Sequence, residues 1–147
     1  MKFTIKSSLA ASAAMLLMVL AGPGSPAVPL QAQSCDFTAD ASPASATITS
    51  GQSAGFQIGL QSLGSVGKTI HVLIGGVSPR TKDEPAFHQA AYDIWLPANG
   101  TGAAHIFASA SDKTVKTTYT ITVKAQDITG GCGYGVTHDV TFMLTVT

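Results

Sequence analysis

The chain carries little charge, and neither sign is concentrated in one segment. Charged residues make up 11% of the 147 residues, with 8 Lys and Arg against 8 Asp and Glu, and no basic run occurs. Without Lys2 and Lys6 near the N-terminus, six basic residues remain against eight acidic ones, a net charge of −2. This balance argues against nucleic acid or an anionic lipid surface as a partner.

Signatures of known catalytic and metal sites are also missing. The chain has no Gly-x-Ser-x-Gly nucleophile motif and no phosphate-binding loop, and no two histidines have the spacing of one helical turn. We therefore expect no enzyme activity, no cofactor and no metal site, although a fold never excludes a site without a recognised motif. One alternative is a cation held weakly by Asp83 and Glu84 near His88.

Long apolar runs are missing except for one segment near the N-terminus. Leu9 to Ala21 is apolar over about thirteen residues, fewer than the roughly twenty that a membrane-spanning helix needs. Lys2 and Lys6 precede this run, and a stretch rich in small residues and proline follows it up to Ser34. This is the organisation of a secretory signal peptide.

We assign residues 1–34 to a cleavable signal peptide with a short linker, and residues 35–147 to the mature domain. Cleavage is expected after Ala32 or Ser34, and a site near Ala27 is an alternative. The mature protein is then exported to the periplasm, the cell surface or the medium. Lipidation of Cys35 is a further alternative, but the preceding residues lack the leucine expected three positions before an acylated cysteine.

Several segments of the mature chain alternate between polar and apolar residues, as β-strands with one buried face do. The clearest segment is the last, where Val140, Phe142, Leu144 and Val146 alternate with threonine and methionine. We expect this strand to hold the C-terminus in a sheet, with no tail, anchor or second domain after it.

Similar segments predict about seven strands and no helix. They begin near Phe37, Ala54, Ile70, Tyr92, Ala104, Tyr119 and Val140. Pro43 interrupts the first strand and places it at a sheet edge, because proline cannot donate to a ladder. Ser78 to Gln89 has no period and is predicted to be a loop or insertion. Short strands separated by turns predict an antiparallel β-sandwich.

Two segments at the start of the mature chain, Asp36 to Pro43 and Ala46 to Ala54, match a known pattern of strand and turn. Together with Thr118 to Val123 and Val140 to Val146, they resemble bacterial immunoglobulin-like domains of secreted and surface proteins. The resemblance implies an immunoglobulin-like β-sandwich over residues 35–147. The chain departs from the family in a longer insertion, Arg80 to Gln89, and in a glycine-rich final hairpin.

The resemblance also implies a pairing of the two cysteines. In an immunoglobulin-like sandwich the first strand starts at the end that carries the last hairpin, which brings Cys35 to Cys132. Exported proteins favour disulfides, and closing so long a loop contributes at most about 4–5 kcal/mol in the chain-entropy model. Two free thiols or a lipidated Cys35 are the alternatives.

Four aromatic residues have predicted roles. Tyr119, at the start of a strand, is expected to bond back to the preceding turn, as tyrosines in immunoglobulin-like sandwiches do. Trp95, the only tryptophan, is predicted to fill the core, with a sugar-stacking platform as the alternative. Phe87 and Tyr134 lie in predicted loops and are expected to be exposed.

Two functions are consistent with these observations. The first is a monomeric immunoglobulin-like interaction or structural module, secreted or on the cell surface, whose loops contact a protein or a glycan without catalysis. The second is an extracytoplasmic carbohydrate-binding or adhesin-type module, which needs exposed aromatic residues on one face. The candidate binding residues are Arg80, Lys82, Asp83, Glu84, Phe87, His88 and Tyr134.

Overall fold

The computed structural model describes residues 35–129 and 135–147, and within these ranges every regular element is a β-strand. The nine strands are β1 (Phe37–Ser42), β2 (Ser45–Ile48), β3 (Ser53–Ser62), β4 (Lys68–Ser78), β5 (Ala86–His88), β6 (Ala91–Leu96), β7 (Thr101–Ser109), β8 (Thr118–Asp127) and β9 (Thr137–Val146). The predicted signal peptide, Cys132 and Tyr134 lie outside the described residues.

The strands form two sheets. One has four strands in the order β1-β3-β7-β5, and the other has five in the order β2-β9-β8-β4-β6. Pro43 separates β1 from β2, and each of these strands lies at the edge of a different sheet, as the proline predicts. Neighbouring strands are antiparallel, except that β2 runs parallel to β9. The two sheets are therefore antiparallel as predicted, with this one parallel pair as an exception.

Residues from both sheets build a single core. Phe56 of β3 stacks on Phe142 of β9 with ring centroids 3.9 Å apart, which joins the two sheets face to face. The predicted alternation of the last strand is confirmed, because Val140, Phe142, Leu144 and Val146 are all buried. The other buried apolar residues are Phe37, Ile48, Ile58, Leu60, Ile70, Val72, Val77, Leu96, Ala104, Ile106, Ala108, Ala110, Tyr119, Ile121, Val123 and Ala125.

The predicted number of strands, about seven, is too low. Within the segment predicted to be a loop, Ala86–His88 forms β5 and pairs with β7. Three residues are too few to show a period of two, so only the tertiary pairing identifies this strand. β4 also continues to Ser78, past a register shift between Ile74 and Gly76. A bulge of this kind interrupts the alternation from which strand ends are predicted.

Tyr119 forms hydrogen bonds with two loops at one end of the core. Its side chain is fully buried, and its hydroxyl donates to the carbonyl of Val115, 2.9 Å away. The same hydroxyl lies 3.1 Å from Oγ1 of Thr81. A bond from a buried tyrosine to a carbonyl a few residues upstream is the tyrosine corner of immunoglobulin-like sandwiches.

Lys68 likewise forms hydrogen bonds with a neighbouring segment, at the opposite end of the sandwich. Its side chain is buried, and its ammonium group donates to the carbonyls of Cys35 and Asp36. A buried charge is tolerated when hydrogen bonds replace its hydration. The first described residues are thereby tied to the start of β4.

Candidate functional site

Trp95 lies on the outer face of the five-stranded sheet and is 62% exposed. The prediction that it fills the core is therefore wrong. Tyr92, Ile94 and Leu96 of β6 turn toward the core, and a strand places alternate residues on opposite faces. Trp95 and Asp93 consequently point to solvent.

A glycine lies beneath the indole. A Cβ added to Gly67 would come within 2.5 Å of Trp95 Cζ2 and 2.8 Å of Cη2. Any side chain at residue 67 would push the six-membered ring away, because real Cβ atoms do not approach other atoms this closely. The bare backbone of Gly67 therefore positions an aromatic ring that the core does not hold.

The residues beside Trp95 form an apolar row across the sheet. Thr69 of β4 is its cross-strand partner, and the N–H of Ile128 donates to the Thr69 carbonyl at 3.0 Å. Ile128 is itself 40% exposed. Tryptophan and isoleucine thus flank a threonine at one end of the outer face.

The next row is polar. Asp93 lies opposite His71, and Oδ1 of the carboxylate is hydrogen-bonded to Nδ1 of the imidazole. On its other side, His71 pairs with Gln126 of β8, and Gln126 pairs in turn with Thr137 of β9. We call these two rows, made of Trp95, Thr69, Ile128, Asp93, His71, Gln126 and Thr137, the Trp95 face.

The Trp95 face combines an exposed ring with groups that can donate and accept hydrogen bonds. The side chains of Asp93 and His71 are 61% and 34% exposed. Their bond occupies Oδ1 and Nδ1, and no other hydrogen bond of either side chain occurs in the described part of the chain. Oδ2 and Nε2 therefore remain available to a ligand.

The segment between β4 and β6 brings three of the predicted binding residues to a groove. Arg80, Glu84 and Phe87 line a cavity of about 370 Å³ against the bulge of β4. The guanidinium of Arg80 lies 3.5 Å from the Glu84 carboxylate, which also accepts the N–H of Thr81. Phe87 is half-buried and packs against the core, so the prediction that it is exposed is wrong. Pairing of β5 with β7 turns its ring inward.

Lys82, Asp83 and His88, the other predicted binding residues that the structure describes, do not line this groove. Lys82 is exposed, and the carbonyl of Asp83 accepts the N–H of Val115. His88 lies on the outer face of the other sheet, with Nε2 3.3 Å from Ser109 Oγ. Within residues 35–129 and 135–147 no three His, Cys, Asp or Glu side chains converge as metal ligands do, so Asp83, Glu84 and His88 are not assembled into a cation site.

The four-stranded sheet carries a comparable aromatic residue on its own outer face. Phe107 is 44% exposed, and its Cε1 lies 3.1 Å from the position of a Cβ on Gly55. The row beside it holds Gln57 and His105, without a bonded carboxylate and imidazole. Phe107 is therefore a structural match for Trp95 that lacks the same polar neighbours.

The sequence contained a signal for the position of Trp95. Tyr92, Ile94 and Leu96 are spaced by two and form the more apolar set, which assigns Asp93 and Trp95 to the opposite face. No comparable signal existed for Gly67 or His71, because their roles depend on the register between β4 and β6.

In the described residues there is no helix with the length and hydropathy needed to cross a membrane.

Comparison with known proteins gives similarity at the level of fold. No protein-family model and no curated protein matches the sequence. A family 123 glycoside hydrolase from Clostridium perfringens aligns at a TM-score of 0.50 and 7% identity over 76% of this chain, which corresponds to only 28% of the hydrolase chain.

Two further solved structures are similar at lower TM-scores. The E. coli chaperone DraB aligns at 0.48 and 7% identity, over 75% of this chain and 56% of its own. MyfA, the major subunit of Myf fimbriae from Yersinia enterocolitica, aligns at 0.46 and 14% identity, over 74% and 98%.

Proposed function

We propose that this protein is an exported, non-catalytic immunoglobulin-like module that binds a partner through the Trp95 face. The immunoglobulin-like assignment is supported by the division of the first strand between the two sheets and by the bond from Tyr119 to Val115. Export is supported by the pattern of residues 1–34.

The exposure of Trp95 is the observation that carries the proposal. Large aromatic residues are enriched in binding sites, where one ring buries much area at little cost in conformational entropy. Here the ring is exposed by 62%, beside a second exposed apolar residue, Ile128. An indole that is mostly exposed contributes less to stability than a buried one, and together with Ile128 it forms an exposed apolar patch of the kind that marks interaction sites.

The proposal is tested by comparing three forms of the protein, each produced from the full-length sequence. The wild type, Trp95→Ala and Phe107→Ala are immobilised and exposed to separated protein and polysaccharide fractions of cell envelopes. We expect the wild type and Phe107→Ala to retain the same component and Trp95→Ala to lose about tenfold or more of it. Equal retention by all three forms would show that the Trp95 face is not the binding surface.

A further inference from the structure

We propose that the ligand of the Trp95 face is a neutral saccharide, with one pyranose ring stacked on the indole of Trp95 and its hydroxyl groups bonded to Asp93 and His71. This inference rests on the proposed function and assigns a ligand class to the same surface.

The indole of Trp95 is complementary to the face of a sugar ring. A pyranose presents a face of C–H groups, which packs on an aromatic ring, and a rim of hydroxyl groups, which need hydrogen-bond partners. The indole lies so close to Gly67 that no Cβ fits between them, so the ring is positioned before a ligand arrives. Such preorganisation lowers the entropic cost of binding.

The polar groups of Asp93 and His71 lie within reach of a sugar that stacks on the indole. Asp93 precedes Trp95 by two residues on the same face of β6, and residues two apart on a strand are separated by about 7 Å. Asp93 Oδ2 can accept a hydrogen bond from one sugar hydroxyl, and His71 Nε2 can form a hydrogen bond with a second hydroxyl. Gln126 and Thr137 continue the polar row, so a second sugar unit has partners as well.

The arrangement of the two rows favours a saccharide over a protein. A stable protein interface has an apolar centre of several side chains surrounded by a polar rim. On the Trp95 face, Trp95 and Ile128 are confined to one row, and the next row consists of carboxylate, imidazole, amide and hydroxyl groups. Alternating apolar and hydroxyl surfaces are characteristic of carbohydrates.

The charges indicate that the saccharide is neutral. Asp93, on the edge strand β6, is the acidic residue of the two rows, and neither row contains a lysine or an arginine. The nearby Lys68 is buried and directed to the carbonyls of Cys35 and Asp36. A uronate or sulfate group would therefore face a carboxylate, while the exposed Lys124 of the adjoining row lies opposite a second carboxylate, that of Asp139.

The single tryptophan allows a direct test, because its emission reports this surface alone. The full-length protein is titrated with hexasaccharides of β-linked glucose, β-linked N-acetylglucosamine and α-linked mannose, and with polygalacturonate and heparin as acidic probes. We expect at least one neutral hexasaccharide to shift the emission to shorter wavelength with saturation, and the acidic probes to leave it unchanged.

Variants then locate the binding groups by calorimetry with the neutral hexasaccharide that binds. Trp95→Ala is expected to weaken affinity about tenfold or more because it removes the stacked ring. Asp93→Asn is expected to weaken affinity by a similar factor, since a hydrogen bond to a charged group contributes about 1.5–3 kcal/mol. Gly67→Ala keeps the indole but displaces it, and is expected to weaken affinity while preserving the tryptophan signal. Phe107→Ala is the matched control and should bind as the wild type does.

The outcomes separate the two proposals. If no neutral hexasaccharide binds, or if only the acidic probes bind, the saccharide assignment is wrong, whereas Trp95-dependent retention of an envelope protein would leave the proposed function standing. Binding that is lost in Phe107→Ala and kept in Trp95→Ala would overturn both. If Trp95→Ala melts before binding is measured, Gly67→Ala and Asp93→Asn decide the question.

Discussion

Asp36 connects the first described residues to a distant strand. Its carboxylate accepts the backbone N–H of Phe37 at 2.8 Å and lies 2.7 Å from Nε2 of His138 on β9. The ring of His138 also meets Phe37 edge to face, with centroids 4.7 Å apart. The hydrogen bond from His138, followed by that from Phe37, lowers the pKa of Asp36 below its ordinary value of 3.8.

This lowered pKa predicts a loss of stability in acid. Because the folded pKa of Asp36 lies below the unfolded one, the ionised carboxylate stabilises the fold above about pH 4, and this contribution is lost as the pH falls through the folded pKa. Urea unfolding of the wild type and Asp36→Asn between about pH 6 and pH 2 should therefore show a difference that narrows toward low pH.

The variant His138→Leu tests the cause. Leucine has no donor, so the variant removes the main hydrogen bond to Asp36 and keeps that from Phe37, and its acid dependence should lie between those of the wild type and Asp36→Asn. If the free energy of unfolding of Asp36→Asn changed with pH as steeply as that of the wild type, Asp36 would not contribute to acid stability.

Among the elements, β9 is paired on both sides within the five-stranded sheet. It pairs with β8 over nine residues and with β2 over four, from Ser45 opposite Met143 to Ile48 opposite Val146. Its inward residues Phe142, Leu144 and Val146 are buried in the core. This strand therefore holds the edge strand β2 to the rest of the five-stranded sheet.

Deletion of Leu144 to Thr147 is expected to unfold the protein. It removes two buried side chains, each worth about 2–5 kcal/mol, and three of the four partners of β2. Together these losses approach the whole stability of a domain, about 5–15 kcal/mol. Circular dichroism and urea melting of the truncated protein provide the measurement.

Deletion of Thr147 alone is the control for this truncation. Thr147 is exposed and its N–H donates to the Ile48 carbonyl at 3.0 Å, so its loss should cost about 1 kcal/mol. A four-residue truncation that melts as cooperatively as this control would contradict the structural role of the strand end.

For the molecule as a whole, the predicted Cys35–Cys132 disulfide would join the residue before β1 to the segment before β9. Cys132 lies outside the described residues, so the pairing stays a prediction. It is supported by Asp36, adjacent to Cys35, which bonds to His138 near the start of β9. The N–H of Asp127 also donates to the Val136 carbonyl, and Cys132 lies between these two residues in the sequence.

The disulfide predicts a mass difference and a loss of stability. Reduction should raise the intact mass of the exported protein by about two daltons, and Cys35→Ser combined with Cys132→Ser should lower the free energy of unfolding by about 2–5 kcal/mol. An unchanged mass would show free thiols, and an added acyl mass would show lipidation of Cys35 instead.

Alternation along the sequence was sufficient to identify β9 and the edge position of the segment around Pro43, because burial of one face and a missing N–H are local properties of the chain. The same reasoning, applied to Tyr92, Ile94 and Leu96, would also have placed Trp95 outside. β5, the buried Lys68 and the placement of Gly67 and His71 beside Trp95 and Asp93 depend on which strands pair and in which register. Such contacts join residues distant in sequence, and no local pattern encodes them.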